Sequence, residues 1–180
     1  MARILSIAAA LLIGSLIIGG AWLYAQPNQW KVEHQATIKA PAEAIFAQLN
    51  SLKNSPNWSA WNKAFLPTLE SRHGGPDSGV GATEYWTLDG NSGSTTIMKS
   101  VPNERIEYKV VSSDGYFVAD GFYALTKTET GTKVQWVYKG DSGDNLILKL
   151  YMAGALPEIN KGNEWSLNNL KRLMEKAANH

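Results

Sequence analysis

Trp30-Lys-Val-Glu-His-Gln-Ala-Thr-Ile-Lys39, running on into Ala40-Pro41-Ala-Glu-Ala-Ile-Phe-Ala-Gln-Leu49, changes its hydrophobic period in the middle. In the first half Trp30, Val32, Ala36 and Ile38 share one face and Lys31, Glu33, Gln35, Thr37 and Lys39 the other, with His34 on the apolar side. That is the period of two expected of a half-buried strand. From Pro41 the spacing becomes helical. Proline suits the first turn, Glu43 complements the helix dipole there, and Ile45, Phe46 and Leu49 form a buried stripe. Asn50 to Pro56 breaks the helix.

Downstream, strand-like runs recur at hairpin spacing. Thr68–Arg72 reads as a short strand, and His73–Gly81 as a glycine-rich loop. Thr83–Leu88, Ser94–Val101, Arg105–Val111, Tyr116–Leu125 and Thr132–Gly140 follow, separated by Asp89-Gly90, Pro102-Asn103, Asp114-Gly115 and Thr130-Gly131. These are turn residues, and short links make antiparallel neighbours. The chain closes with a helix expected from Glu158 to near Ala178, with Ile159, Leu167, Leu170, Leu173, Met174 and Ala177 on one side. The expected class is α+β: a helix-grip fold in which a curved antiparallel sheet of six or seven strands wraps a long C-terminal helix.

Ahead of this domain, Ile4–Leu23 is twenty residues without a charge, Trp22 and Tyr24 sit at its far end, and Arg3 precedes it. At about 1.5 Å per residue such a helix matches a bilayer core of roughly 30 Å. The aromatic end fits an interface belt, and Arg3 places the domain on the extracytoplasmic side. A cleaved signal peptide is the competing reading, but its apolar region is typically no longer than about 15 residues. The expected organisation is a single-pass transmembrane anchor over residues 1–25, a linker over 26–29 and one domain over 30–180.

Composition excludes several classes. Beyond residue 30 the acidic and basic side chains balance, since Arg3 is the only charge before Lys31 and the whole chain carries +1. A neutral domain without a basic run is a poor nucleic-acid binder. The absence of cysteine excludes disulfides, thiolate metal sites and cysteine nucleophiles. His34, His73 and His180 are scattered, so neither a metal nor a cofactor is expected. No phosphate loop or nucleophile elbow is present.

The chain resembles the SRPBCC superfamily, the START and birch-pollen-allergen-like group, and within it the polyketide cyclase/dehydrase and lipid-transport-like proteins. The resemblance is carried by Ile38-Lys-Ala-Pro41 leading into Ile45-Phe46, by Trp58 and Trp61, and by Gly79-Val-Gly81. It continues through Val101-Pro102 with Arg105-Ile-Glu-Tyr108, Gly131-Thr-Lys-Val-Gln-Trp136, and Leu170-Lys171 to Glu175. It implies a cavity between sheet and helix. It does not imply one activity, since such proteins include lipid carriers, hormone receptors, cyclases and chaperone activators.

Three functions follow as expectations: a membrane-tethered protein that binds an apolar small molecule or lipid, a cyclase or dehydratase using the same cavity, or a protein-interaction module with a vestigial one. Trp58, Trp61 and Phe65, at helical spacing, are candidates for a cavity wall or for plain core. Tyr108, Trp136 and Tyr138 are candidates on inner strand faces, where hydroxyls would add specificity to an apolar wall. Leu150 and Tyr151 belong to Asp141–Pro157, read as a lid that covers the cavity mouth or rests on a membrane, or as a plain core element. Asp120, Glu84 and His34 are the candidates for acid–base chemistry, weighed against ordinary outward or paired placement. Oligomeric state is not legible.

Overall fold

A computed structural model describes residues 2–177, with the side chains of residues 2–5, 8 and 9 outside the description. The expected helix end at Ala178 and His180 also lie outside it. The elements are α1 (Ala2–Ala25), β1 (Gln29–Ile38), α2 (Ala42–Leu49), a 3-10 turn (Leu52–Asn57), β2 (Glu70–Gly74), β3 (Thr83–Leu88), β4 (Asn91–Val101), β5 (Arg105–Ser112), β6 (Val118–Thr128), β7 (Gly131–Asp141) and α3 (Leu146–Ala177). The period change at residue 40 falls between β1 and α2. Pro41, in an extended conformation, is the N-cap, and Ile45 and Leu49 are buried as their spacing requires.

The seven strands form one antiparallel sheet in the order β1-β7-β6-β5-β4-β3-β2. β1 is brought back beside β7, which frames an inner face for the two helices. Inward residues line up in rows across the strands. One row runs Val32, Tyr138, Gly121, Tyr108 and Ile97. The next runs Trp30, Gly140, Ala119, Val110, Thr95, Glu84 and His73.

Aromatic rings meet glycines across neighbouring strands three times. Trp30 pairs with Gly140, Tyr108 with Gly121 and Trp86 with Gly93. A methyl group on any of these glycines would overlap the partner ring. Glycine is thus needed here for close approach, not for its backbone freedom.

α3 covers the inner face. Leu167, Leu170 and Met174 join Ile38, Ile45, Leu49, Ile106, Leu125 and Val134 in the main core. Leu148 and Met152 pack with Trp30 and Ala119 in a second cluster. This corrects the expected lid. The helix does not begin at Glu158 but at Leu146, and Pro157 lies inside it. Asn145 caps the start, its Oδ1 accepting from Ile147 N and Leu148 N at 3.1 Å each. Proline deprives the Ala153 carbonyl of its helical donor, but Pro157 and Ala153 are both exposed, so the freed carbonyl lies on the solvent side of the helix. Leu148 and Met152 make this segment a core element, and gating by it is withdrawn.

One further expectation changes. The stretch after Asn57 is not helical, so Trp58, Trp61 and Phe65 do not share a face. The expected membrane span falls on α1, a 24-residue helix. Among the described residues, no helix is long and apolar enough to cross a membrane.

Leu170 is 0% exposed. Leu170→Ala is expected to cost about 2–5 kcal/mol in urea unfolding. A negligible loss would contradict the packing of α3 against the sheet.

Candidate functional site

Between α3 and the sheet the inner face is paved with aromatic rings. Tyr108 comes from β5, Tyr123 from β6, Trp136 and Tyr138 from β7, and Trp58 from the turn after the 3-10 segment. Trp58 meets Tyr123 edge-on at 6.1 Å and Trp136 at 6.0 Å between ring centroids. Tyr123 lies 5.1 Å from Trp136 and 5.5 Å from Tyr108, and Tyr108 stacks on Tyr138 at 6.5 Å. Trp30 extends the group, 5.3 Å from Tyr138. Each contact is worth about 0.5–1.5 kcal/mol beyond simple burial.

Polar atoms inside this wall are selectively satisfied. Trp136 Nε1 donates to Tyr108 Oη at 2.7 Å. Trp58 is 4% exposed, yet its indole N–H finds no acceptor among the described residues. Burial pushes the Tyr108 hydroxyl up to about 12, against the lowering effect of hydrogen bonds with Trp136 and Tyr123. Burial, and then proximity to Tyr108, also raises Tyr123 and Tyr138. All three hydroxyls therefore stay protonated near neutral pH. They can orient a polar group but cannot act as bases.

Polar side chains of α3 hold the Trp58 segment in place. Ser166 Oγ accepts from Ala60 N at 2.8 Å, Asn169 Nδ2 donates to the Trp58 carbonyl at 3.1 Å, and Asn163 Oδ1 accepts from Trp61 Nε1 at 3.1 Å. Asn163 and Ser166 are buried. Their helical spacing with Leu167 and Leu170 was the available signal. Tyr123, missed in the sequence reading, alternates with Gly121 and Leu125 on β6.

Of the residues expected in a cavity, Trp58, Tyr108, Trp136 and Tyr138 come together. Trp61 and Phe65 do not join them. Trp61 leans on Gly162 outside the wall, and Phe65, 52% exposed, packs on Trp165 at 4.4 Å. Leu150 and Tyr151 face outward from α3 and are exposed. Two surface concavities lie elsewhere. One is a narrow cleft beside Leu52, His73 and Pro76; the other is a depression of about 660 Å³ over the ends of β2–β5. Neither is lined by α3.

The acid–base candidates separate. Asp120 points away from the core and pairs with Lys109 at 3.0 Å, because it alternates against the inward Ala119 and Gly121. His34 faces inward at the sheet edge, 3.1 Å from Asn160 Oδ1. Glu84 shares the inner face with Val110, two strands away, and stands opposite His73. Burial raises its carboxyl above the ordinary range; the His73 charge and a Ser71 hydrogen bond partly offset that. Glu84 is thus an inward carboxylate with a raised affinity for its proton. Among the described residues, no cluster of His, Asp and Glu could hold a metal ion.

This architecture has a family. Residues 29–175 match the family described as polyketide cyclase / dehydrase and lipid transport. The chain belongs to that family. No curated protein matches it. Among solved structures it is similar to the Aha1 dimer from Colwellia psychrerythraea, at 18% identity and a TM-score of 0.58, over 81% of this chain and 96% of that one. It is similar to SA2116 from Staphylococcus aureus, a protein of unknown function, at 15% identity and 0.60, over 84% and 97%. It is also similar to DynU16 of the dynemicin biosynthetic locus, at 14% identity and 0.56, over 82% of this chain and 48% of that one. At such identities these likenesses establish the fold alone.

Gly121→Ala is expected to destabilise the domain by about 1–3 kcal/mol, since the Tyr108 ring over it cannot move without breaking its bond to Trp136. Urea unfolding measures this, and an unchanged midpoint would contradict it. Glu84 gives a pH test. Its folded pKa is raised, so the stabilisation from its bound proton is complete below the ordinary carboxylate range and is lost as pH rises through the raised value. Glu84→Gln should lack that slope, and identical slopes in both proteins would refute the assignment.

Proposed function

We propose that this protein binds an apolar small molecule or lipid between α3 and the aromatic inner face, and that α1 tethers it to a membrane with the domain on the extracytoplasmic side. One observation carries the binding reading. The Trp58 N–H is a buried donor without an acceptor, set among the rings of Tyr123 and Trp136. Leaving such a donor unpaired costs about 1–3 kcal/mol. A largely apolar ligand with one acceptor oxygen would recover that cost, and its apolar body would suit the aromatic wall. The protonated tyrosines would orient the ligand's polar group.

The tether rests on the charge-free stretch from Ile4 to Leu23, and on the exposure of Leu11, Leu12, Ile17, Ile18 and Trp22 along α1. Such a stripe is costly in water and suits lipid. Glu84 favours a second reading, a cyclase or dehydratase in which this carboxyl moves a proton. It is an inward acid with a raised pKa, on β3 of the same sheet face.

Native mass spectrometry of the full chain, extracted from membranes in mild detergent, tests the first reading. It should reveal a co-purified apolar molecule. Trp58→Phe keeps an aromatic ring but removes the unpaired donor, so it should reduce occupancy in a folded protein, with a modest stability loss from the smaller ring. An unoccupied protein that also fails to take up a membrane lipid extract would refute the binding reading. Chemical conversion of the bound molecule, abolished by Glu84→Gln, would favour the enzyme.

A further inference from the structure

Lys149 is 5% exposed, which is unusual for a lysine, and among the described residues no carboxylate pairs with it. Its Nζ donates instead to the carbonyl oxygens of Tyr24 at 3.3 Å and Gln26 at 3.0 Å, at the C-terminal end of α1. It also lies 5.7 Å from the Tyr24 ring. A cation on the last carbonyls of a helix is favoured by the helix dipole. The neighbouring chain is tied down as well, since Ser142 N donates to the Asn28 carbonyl at 2.8 Å. The stretch read from sequence as a linker is a built joint.

The surroundings of that joint are apolar and open. Leu146, Ile147, Leu150 and Tyr151 surround Lys149 on α3 and are 41–73% exposed, while Leu148 and Met152 turn inward. Trp22 and Tyr24, at the adjoining end of α1, are also exposed. The first turn of α3 contains no acidic residue. One apolar and aromatic surface therefore spans the end of α1 and the start of α3, with the Lys149 ammonium turned onto backbone carbonyls.

We propose that Lys149 locks α1 to α3 so that Leu146, Ile147, Leu150 and Tyr151 lie in the interfacial layer of a bilayer, beside the point where α1 leaves it. The inference rests on the membrane-tether reading and adds an orientation to it. The occupant is a lipid surface because the face continues from the end of the proposed anchor. An apolar helix face with interfacial aromatics is what such a surface takes up. This orientation also brings the α3 side of the aromatic wall next to the lipid from which an apolar ligand would come.

The chain has no cysteine, so single introduced cysteines report cleanly. Ile13→Cys on α1, Leu150→Cys on α3 and Tyr85→Cys on β3 each receive an environment-sensitive fluorophore. The full chain is placed in phosphatidylcholine–phosphatidylglycerol vesicles containing spin-labelled lipid. The labels at 13 and 150 should shift to the blue and be quenched, and the label at 85 should do neither. Adding Lys149→Gln should leave quenching at 13 intact and return the label at 150 toward aqueous emission. An aqueous label at 150 with a quenched one at 13 overturns the proposal and leaves the tether standing. A blue-shifted but unquenched label at 150 means a protein partner or second copy covers the face, and also overturns it. An unquenched label at 13 removes the tether and the proposal together. Quenching at 150 that survives Lys149→Gln overturns the lock.

Discussion

The hydrogen bond from the Trp136 indole to the Tyr108 hydroxyl, 2.7 Å long and buried, governs the interior of this domain. It joins β5 to β7 across β6, so both rings must lie over the strand between them. Gly121 on β6 lets the Tyr108 ring do so. With those rings fixed, Tyr123 and Tyr138 have only the flanking positions, and Trp58 closes the group from the side facing α3. The same device recurs at both ends of the sheet, where Trp30 covers Gly140 and Trp86 covers Gly93. α3 then rests on a surface of rings rather than on aliphatic side chains alone.

That constraint also limits the chemistry available. Desolvated tyrosines hold their protons tightly, so the centre of the domain offers hydroxyl dipoles and π faces but no base. Glu84, an inward carboxylate with a raised pKa, lies toward the open end of the sheet, where His73 and Ser71 moderate its environment. Binding and proton transfer would thus use different parts of the same face. A molecule held against the aromatic wall would have to reach β3 before meeting an acid.

Much of this was legible before the structure. The period change at residue 40 placed β1 and α2 because alternation and helical spacing are mutually exclusive patterns. Glycine and asparagine turns placed the hairpins. Where the reading failed, the pattern was ambiguous. Pro157 looks like a helix boundary in sequence, yet an exposed position can lose one hydrogen bond and continue. Trp58, Trp61 and Phe65 mimic helical spacing, but Ser166, Asn163 and Asn169 of α3 hold that chain in turns, a long-range effect invisible to local periodicity. Asp120 appeared embedded in an apolar run because its inward neighbours are small. The unpaired Trp58 donor has no sequence signature at all, since it depends on which acceptors the fold brings near.

The central claim is that the Trp58 N–H is reserved for a ligand, and heteronuclear NMR of the indole N–H groups tests it directly. Spectra of the full chain in detergent would be compared before and after loading with the molecule extracted from the native protein. The Trp58 resonance should move downfield and its exchange with water should slow as it gains an acceptor, while the Trp136 resonance, already bonded to Tyr108, holds its position. A loaded protein in which the Trp58 resonance neither moves nor gains protection would contradict the account, because the ligand would then sit away from the aromatic wall.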